Sequence, residues 1–354
     1  MGEKVLMKGN EAIGEAAIRS GCRHFFGYPI TPQTELSAYM AKKMPKIGGV
    51  FLQAESEVAA INMVYGAAGA GARAMTSSSS PGISLKSEGI SYIAGADLPC
   101  VIVDIVRGGP GLGGIQPAQS DYFQATKGGG HGDYHLLVFA PNSVQEIVSL
   151  VADAFNKSDE YRVPAMILGD GTLGQMMEPV DFDSVPEACP AQKDWATTGT
   201  KLKREHNIVN SLYLSPEELE KTIIERQKRY DIIKEKEQRY EAHDIEDADI
   251  IVTAYGTTSR VVESAVKTVR AEGLKVGVIR PITLWPFPEK IFSKTADTAK
   301  AFLSVEMSMG QMVEDVKIAV NGKADVHFFG RTGGIIPTPQ EIAEEIRKIA
   351  GGLR

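Results

Sequence analysis

Between Gly21 and Gly169, short runs of β-branched or aromatic residues alternate with longer stretches of helical periodicity. The runs 23–27, 50–54, 73–76, 100–106, 136–140 and 165–168 predict strands. Between them, 32–43, 56–69, 83–94 and 143–156 predict helices. Strands separated by helical patterns of this length form βαβ units, so the expected fold class is α/β with a doubly wound, mostly parallel sheet. A sheet of this kind binds its ligand at the carboxyl ends of its strands. Three motifs fall there: Tyr28–Pro32, Glu55–Glu57 and Arg107–Pro117.

From about Pro179 to His243 the alternation stops. Ser215-Pro216-Glu217-Glu218 is a helix start, with Ser as cap and Pro as first helical residue, and it opens a helix rich in Lys, Arg and Glu that is expected to run to about Tyr240. That helix reads either as a solvated linker or as a partner-binding surface. A second α/β unit follows, with strands expected at 249–254, 276–279, 301–305 and 326–329 and helices at 259–271, 289–295, 311–320 and 339–349. Arg280-Pro281-Ile282-Thr283 and Glu306–Gln311 read as loops. The expected division is a first domain over 1–185, a linker with the charged helix over 186–245 and a second domain over 246–354.

Composition narrows the functional classes. The chain has 354 residues, 43% of them apolar, enough for more than one core. No run approaches the ~18 uninterrupted apolar residues of a membrane span, and Met1-Gly2-Glu3-Lys4 passes into a strand-like segment without a signal-peptide core, so a cytoplasmic protein with no membrane partner is expected. A formal net charge of −7 argues against nucleic acid. The three cysteines, Cys22, Cys100 and Cys189, have no Cys-x-x-Cys spacing, so any redox cluster belongs to another chain.

The chemistry sits in the turn Tyr28-Pro29-Ile30-Thr31-Pro32 and the run Gln53-Ala54-Glu55-Ser56-Glu57-Val58-Ala59-Ala60. A shielded carboxyl at the start of a small-residue helix is what the N1′ nitrogen of an aminopyrimidine requires, and a Thr at a strand-to-helix turn is what a small oxoacid requires beside its carbonyl. Together they suggest half of a thiamine diphosphate site. Two residues apart on a helix diverge by about 200°, so only one Glu points inward. Glu57 shares its face with Ala60, Ile61, Val64 and Ala68 and is chosen over Glu55. Both carboxylates also suit a helix N-terminus without further function. Thr31 reads as a cap with Pro32 as first helical residue, a role compatible with binding an anionic substrate. Arg107 ends an apolar strand, where its guanidinium either meets a substrate carboxylate or pairs with Asp104 or Asp121.

Two further motifs imitate other sites. Gly109-Pro110-Gly111-Leu112-Gly113-Gly114 matches a dinucleotide fingerprint in form, but it follows the fourth strand and no helix opens smoothly after it. It reads better as a loop over a ligand, as does Gly128–Asp133, whose His131 is a candidate acid–base group. Gly169-Asp170-Gly171 imitates the start of the magnesium–diphosphate motif of thiamine enzymes, yet the later Asn-Asn pair is missing; Trp195–Lys201 reads Trp-Ala-Thr-Thr-Gly-Thr-Lys. The metal half of the site is therefore expected on a second polypeptide.

These motifs, with Thr76-Ser77-Ser78-Ser79-Ser80-Pro81-Gly82, Val106-Arg107-Gly108-Gly109-Pro110-Gly111 and Arg280-Pro281-Ile282-Thr283-Leu284-Trp285-Pro286-Phe287-Pro288, make the chain resemble, over essentially its whole length, the alpha subunit of the 2-oxoacid:ferredoxin oxidoreductases. Met7-Lys8-Gly9-Asn10-Glu11-Ala12 and Gly128–His135 make it most similar to the 3-methyl-2-oxobutanoate (2-oxoisovalerate) type. The resemblance implies a thiamine diphosphate pyrimidine-binding domain followed by a domain like the transketolase C-terminal one. It implies a heteromer, a dimer of such assemblies, that decarboxylates a 2-oxoacid, reduces ferredoxin and passes the acyl group to coenzyme A. A beta subunit would bring Mg2+, the diphosphate site and a 4Fe-4S cluster, and gamma and ferredoxin-like delta subunits would complete the complex. Glu57 would activate the cofactor, with Pro29 and Ile30 beside it, and Thr31 and Arg107 would hold the substrate. A 2-oxoglutarate enzyme, and a non-catalytic scaffold subunit, remain as alternatives.

Overall fold

Two mostly parallel sheets carry the chain, and the computed structural model of the protein describes residues 4–186 and 188–353. Met1 to Glu3, which precede the expected strand-like segment, lie outside them. β1 (Val5–Lys8) and α1 (Gly9–Arg19) precede β2 (His24–Gly27), α2 (Thr34–Lys43), β3 (Val50–Gln53), α3 (Glu57–Gly69), β4 (Ala74–Ser78), α4 (Pro81–Gly95) and β5 (Val101–Val106). α5 (Tyr122–Thr126), β6 (Leu137–Phe139), α6 (Val144–Tyr161), β7 (Ala165–Asp170), α7 (Gly171–Gln175) and β8 (Met177–Val180) follow. After a short 3-10 helix (Phe182–Ser184) and a long stretch with no further regular element among its described residues come α8 (Pro216–Lys236), β9 (Tyr240–His243), β10 (Ile250–Thr253), α9 (Gly256–Ala271), β11 (Val276–Pro281) and β12 (Thr283–Trp285). α10 (Glu289–Thr295), β13 (Ala301–Glu306), α11 (Met312–Val320), β14 (Asp325–Gly330) and α12 (Pro339–Gly352) end the chain's regular structure.

The larger sheet has seven strands in the order β12-β6-β7-β5-β4-β2-β3. Its interior strands are parallel, and β5 is buried along its whole length, which is why Val101–Val106 reads as one apolar run broken only by Asp104. The smaller sheet runs β14-β13-β10-β11-β9, parallel except for the edge strand β9. A separate core of Val and Ile side chains lies between this sheet, α9 and α12. Ile251, Ile279, Phe302 and Met312 instead join the core of the larger sheet, so the two sheets share packing.

Several expectations change. Arg280–Thr283 is not a loop: β11 extends to Pro281, and β12 crosses to add an antiparallel edge strand beside β6, with Trp285 stacked on His135. The charged helix ends at Lys236, because the chain from Tyr240 pairs with β11. Nor is that helix a bare solvated linker, since Arg226, Tyr230 and Ile233 are buried and Arg226 Nε donates to Asp97 Oδ1 at 2.9 Å. The strand-like segment expected after Lys4 is β1, whereas α1, β8 and the pairing of β1 with β8 had no local signal. The pairing joins segments far apart in sequence, which periodicity within a short window does not report.

Candidate active site

Four adjacent parallel strands, β5, β4, β2 and β3, end side by side, and the chemistry read from the sequence lies just past those ends. Past β3, Ser56 accepts a hydrogen bond from Ala59 N at 3.1 Å and caps α3, so Glu57 becomes the first helical residue. Glu57 is 6% exposed and lies on the buried face with Ala60, Ile61 and Val64, whereas Glu55 is exposed. Its carboxylate has no hydrogen-bond partner among the described residues. Across from it stands Gly82 in the first turn of α4, where a methyl group would come 2.8 Å from Glu57 Oε1 and 2.0 Å from Ser78 Oγ. Glycine there is a packing requirement of the carboxyl.

Past β2, Thr31 is not a helix cap. The chain makes a turn closed by Gln33 N on the Ile30 carbonyl at 3.2 Å, and α2 begins only at Thr34 after Gln33. Three buried side chains hold this turn by its carbonyls. Asn10 Nδ2 donates to Pro32 O at 2.8 Å, Gln33 Nε2 to Tyr28 O at 3.4 Å and Arg107 Nη1 to Thr31 O at 2.9 Å. Pro29 and Thr31 are exposed and Ile30 half-buried, so the turn is presented outward.

Past β5, Arg107 is buried and makes no ion pair with Asp104 or Asp121 among the described residues; its second amino group donates to Leu112 O at 3.4 Å and its Nε has no partner. The structure thus joins Arg107 to Thr31 and brings Glu57 to the same sheet edge. Asp104 and Asp121 are instead a buried carboxyl pair. Burial, then the neighbouring Asp121 charge, pushes Asp104 well up, and burial also raises Asp121. Ser80 N donates to Asp104 Oδ1 at 3.1 Å. Because the folded-state value is raised, the pair stabilises the fold fully below the unfolded carboxyl value, and this is lost as pH rises through the folded one. Asp104→Asn, which keeps the acceptor for Ser80, is expected to melt above the wild type near about pH 8 and to lose that advantage toward about pH 4, checked by thermal melts across this range.

Beside Arg107, a cleft of about 780 Å³ is lined by Ser80, Pro81, Leu85, Gly108–Gly111, Asp121, Met309, Gln311 and Thr332. The Gly109–Gly114 loop forms its rim and opens no helix, since α5 begins only at Tyr122. His131 does not join these groups: it is exposed, its ring meets Tyr92 edge-on, and its carbonyl accepts from Ser91 Oγ at 2.5 Å. Asp170 is occupied otherwise, capping α7 through Thr172 N and Leu173 N and accepting from Thr257 Oγ1. The described residues contain no cluster of three or more His, Cys, Asp or Glu able to hold a metal, and no helix long and apolar enough to cross a membrane. Asn10, Gln33 and Lys86, all fully buried, were missed by sequence reasoning. For Asn10 only its place in the Met7–Ala12 segment pointed that way.

A thiamine-type pyrimidine fits what is present: a sheltered carboxylate with no hydrogen-bond partner among the described residues, at the carboxyl ends of a parallel sheet, with no side chain on residue 82 to crowd it. Fold and site define a thiamine diphosphate-binding oxidoreductase subunit, and comparison with known proteins bears this out. Residues 15–254 match the family described as pyruvate flavodoxin/ferredoxin oxidoreductase, thiamine diP-binding, and residues 248–342 match pyruvate:ferredoxin oxidoreductase core domain II. The chain belongs to the 2-oxoacid:ferredoxin oxidoreductase family. It is 50% identical over 98% of both chains to the ketoisovalerate oxidoreductase subunit VorB of Methanothermobacter marburgensis. To the 2-oxoglutarate synthase subunit KorA of Methanothermobacter thermautotrophicus it is 37% identical, over 99% of this chain and 100% of that one. Among solved structures, the 2-oxoglutarate:ferredoxin oxidoreductase from Magnetococcus marinus, with 2-oxoglutarate, coenzyme A and succinyl-CoA bound, superposes with a TM-score of 0.88 at 29% identity, covering 98% of this chain and 65% of that chain. A split-gene transketolase at 14% identity and a TM-score of 0.60 shares the fold.

Proposed function

We propose that this chain is the alpha subunit of a branched-chain 2-oxoacid:ferredoxin oxidoreductase, acting on 3-methyl-2-oxobutanoate to give acyl-CoA and CO2. The observation that carries this reading is the full-length similarity, 50% to a ketoisovalerate oxidoreductase subunit against 37% to a 2-oxoglutarate synthase subunit. The cleft supports it. Pro81, Leu85, Pro110 and Met309 give it an apolar wall, and no Lys or Arg is among its lining residues. A dicarboxylate tail would lie there without a cation, whereas an isopropyl group suits such a wall.

Thiamine diphosphate, when bound, supplies the electron sink for breaking the carbon–carbon bond. In this reading Glu57 shares a proton with the pyrimidine N1′, and Pro29 and Ile30 flank the ring. Thr31 Oγ1 hydrogen-bonds the oxoacid carbonyl, and Arg107 holds its carboxylate with the donor that has no protein partner. A beta subunit supplies Mg2+, the diphosphate grip and a 4Fe-4S cluster; gamma and ferredoxin-like delta subunits complete a dimer of heteromers in the cytoplasm. Coenzyme A takes the acyl group and ferredoxin the two electrons.

With the reconstituted complex, kcat/KM measured by ferredoxin reduction is expected to be roughly 100-fold higher for 3-methyl-2-oxobutanoate than for 2-oxoglutarate. The reverse order would assign the chain to the 2-oxoglutarate enzymes.

A further inference from the structure

Lys86 lies on α4 one helical turn beyond Gly82, and it is 0% exposed. A buried ammonium is costly unless a carboxylate pairs with it, yet none lies within ion-pair distance among the described residues. Its Nζ donates instead to Thr76 Oγ1 at 2.8 Å and to the Ser77 carbonyl at 3.0 Å. Both acceptors belong to the end of β4, between the strands that lead to Thr31 and to Arg107. From there the contacts run on in two directions. Ser77 Oγ donates to Gln33 Oε1 at 2.6 Å, and Gln33 holds the Tyr28 carbonyl. Ser78, the next residue, meets the same face of Gly82 that Glu57 does. The ionisable groups facing the amine are Glu57 from α3 and Asp104 from β5, while Thr76 and Ser77 of β4 are neutral.

We infer that Lys86 is a positioning residue for the proposed reaction: its ammonium pins the end of β4 behind the Glu57 carboxyl and, through Ser77 and Gln33, the turn that presents Thr31. This deepens the reading of Glu57 as the group that meets the pyrimidine and rests on it. Burial pushes the Lys86 ammonium down to about 7, with Glu57 and Asp104 pulling the other way, so its charge changes in the neutral range. The charged form makes the stronger hydrogen bonds to the end of β4.

The test uses the assembled complex loaded with thiamine diphosphate and no oxoacid. Exchange of the cofactor's C2 proton for deuterium is followed against pH by acid quench and proton NMR, and the readout is the step in its pH profile across the neutral range, where the Lys86 ammonium loses its charge. Lys86→Met is expected to lower exchange about tenfold below neutral pH and to abolish that step, and Lys86→Arg, which keeps its charge throughout, to abolish the step with exchange closer to the wild type. Should the Met variant not assemble, Lys86→Gln carries the same expectation. A step that persists in the neutral variants overturns the inference, whatever happens to the overall rate. So does one that persists in the Arg variant, or a complex that assembles with none of the three. Glu57→Gln exchanging at the wild-type rate is a different failure: it removes the reading of Glu57 itself, independently of Lys86.

Discussion

Glu57→Gln is expected to leave the complex assembled and to lower turnover of 3-methyl-2-oxobutanoate by roughly 10²–10⁴-fold, the range for loss of a positioned proton-transfer group. The substitution is close to isosteric, so the position opposite Gly82 stays filled. It breaks no internal bond, because the Glu57 carboxylate has no hydrogen-bond partner among the described residues, and the helix start depends on Ser56 rather than on residue 57. What is lost is the ability to exchange a proton with a ring nitrogen, since an amide neither takes up nor releases one at neutral pH. Ferredoxin reduction measures turnover, and size-exclusion chromatography of the same sample measures assembly. Near-normal turnover in an intact complex would mean that the subunit serves as a scaffold and that activation of the cofactor occurs elsewhere.

Much of this site was legible in the chain because its parts are local. A helix start with small residues on one face fixes which of Glu55 and Glu57 turns inward, and periodicity alone separates them. The strand ends were legible for the same reason: a buried parallel strand such as Val101–Val106 announces itself as an apolar run, and the polar residue after it marks the edge where ligands bind. Contacts that tie distant segments together left no such trace. Arg107 holding the carbonyl of Thr31, Asn10 holding that of Pro32, and Lys86 under the end of β4 depend on which strands become neighbours. The local pattern also misled in one place. A Thr before a Pro suggests a helix cap, but the turn is fixed by Asn10 of α1, by Gln33 just before α2 and by Arg107 just after β5, so the helix starts later and Thr31 stays outside it. Likewise β12 lies in the sequence of the second unit but pairs with β6, where its Trp285 stacks on His135 from a distant part of the chain.

Arg107→Met is expected to lower kcat/KM for the oxoacid by roughly 10²–10³-fold, the cost of removing one partner from a buried charge pair. Two of the guanidinium's nitrogens are engaged by backbone carbonyls, Thr31 O at 2.9 Å and Leu112 O at 3.4 Å, and the third, Nε, is buried without a partner. An unpaired donor on a buried cation is costly in the free chain, and an incoming carboxylate relieves that cost, so the loss on substitution falls on substrate binding. Arg107→Lys is expected to recover only part of it, because a lysine places one point charge where the planar fork holds both the turn and the substrate. The measurement that separates substrate binding from damage to the Thr31 turn is deuterium exchange at C2 of the cofactor without oxoacid. If Arg107 acts on the substrate, exchange in the Met variant matches the wild type while kcat/KM collapses. If exchange falls in parallel, Arg107 acts through the turn it anchors, and the substrate carboxylate must find its cation on another subunit.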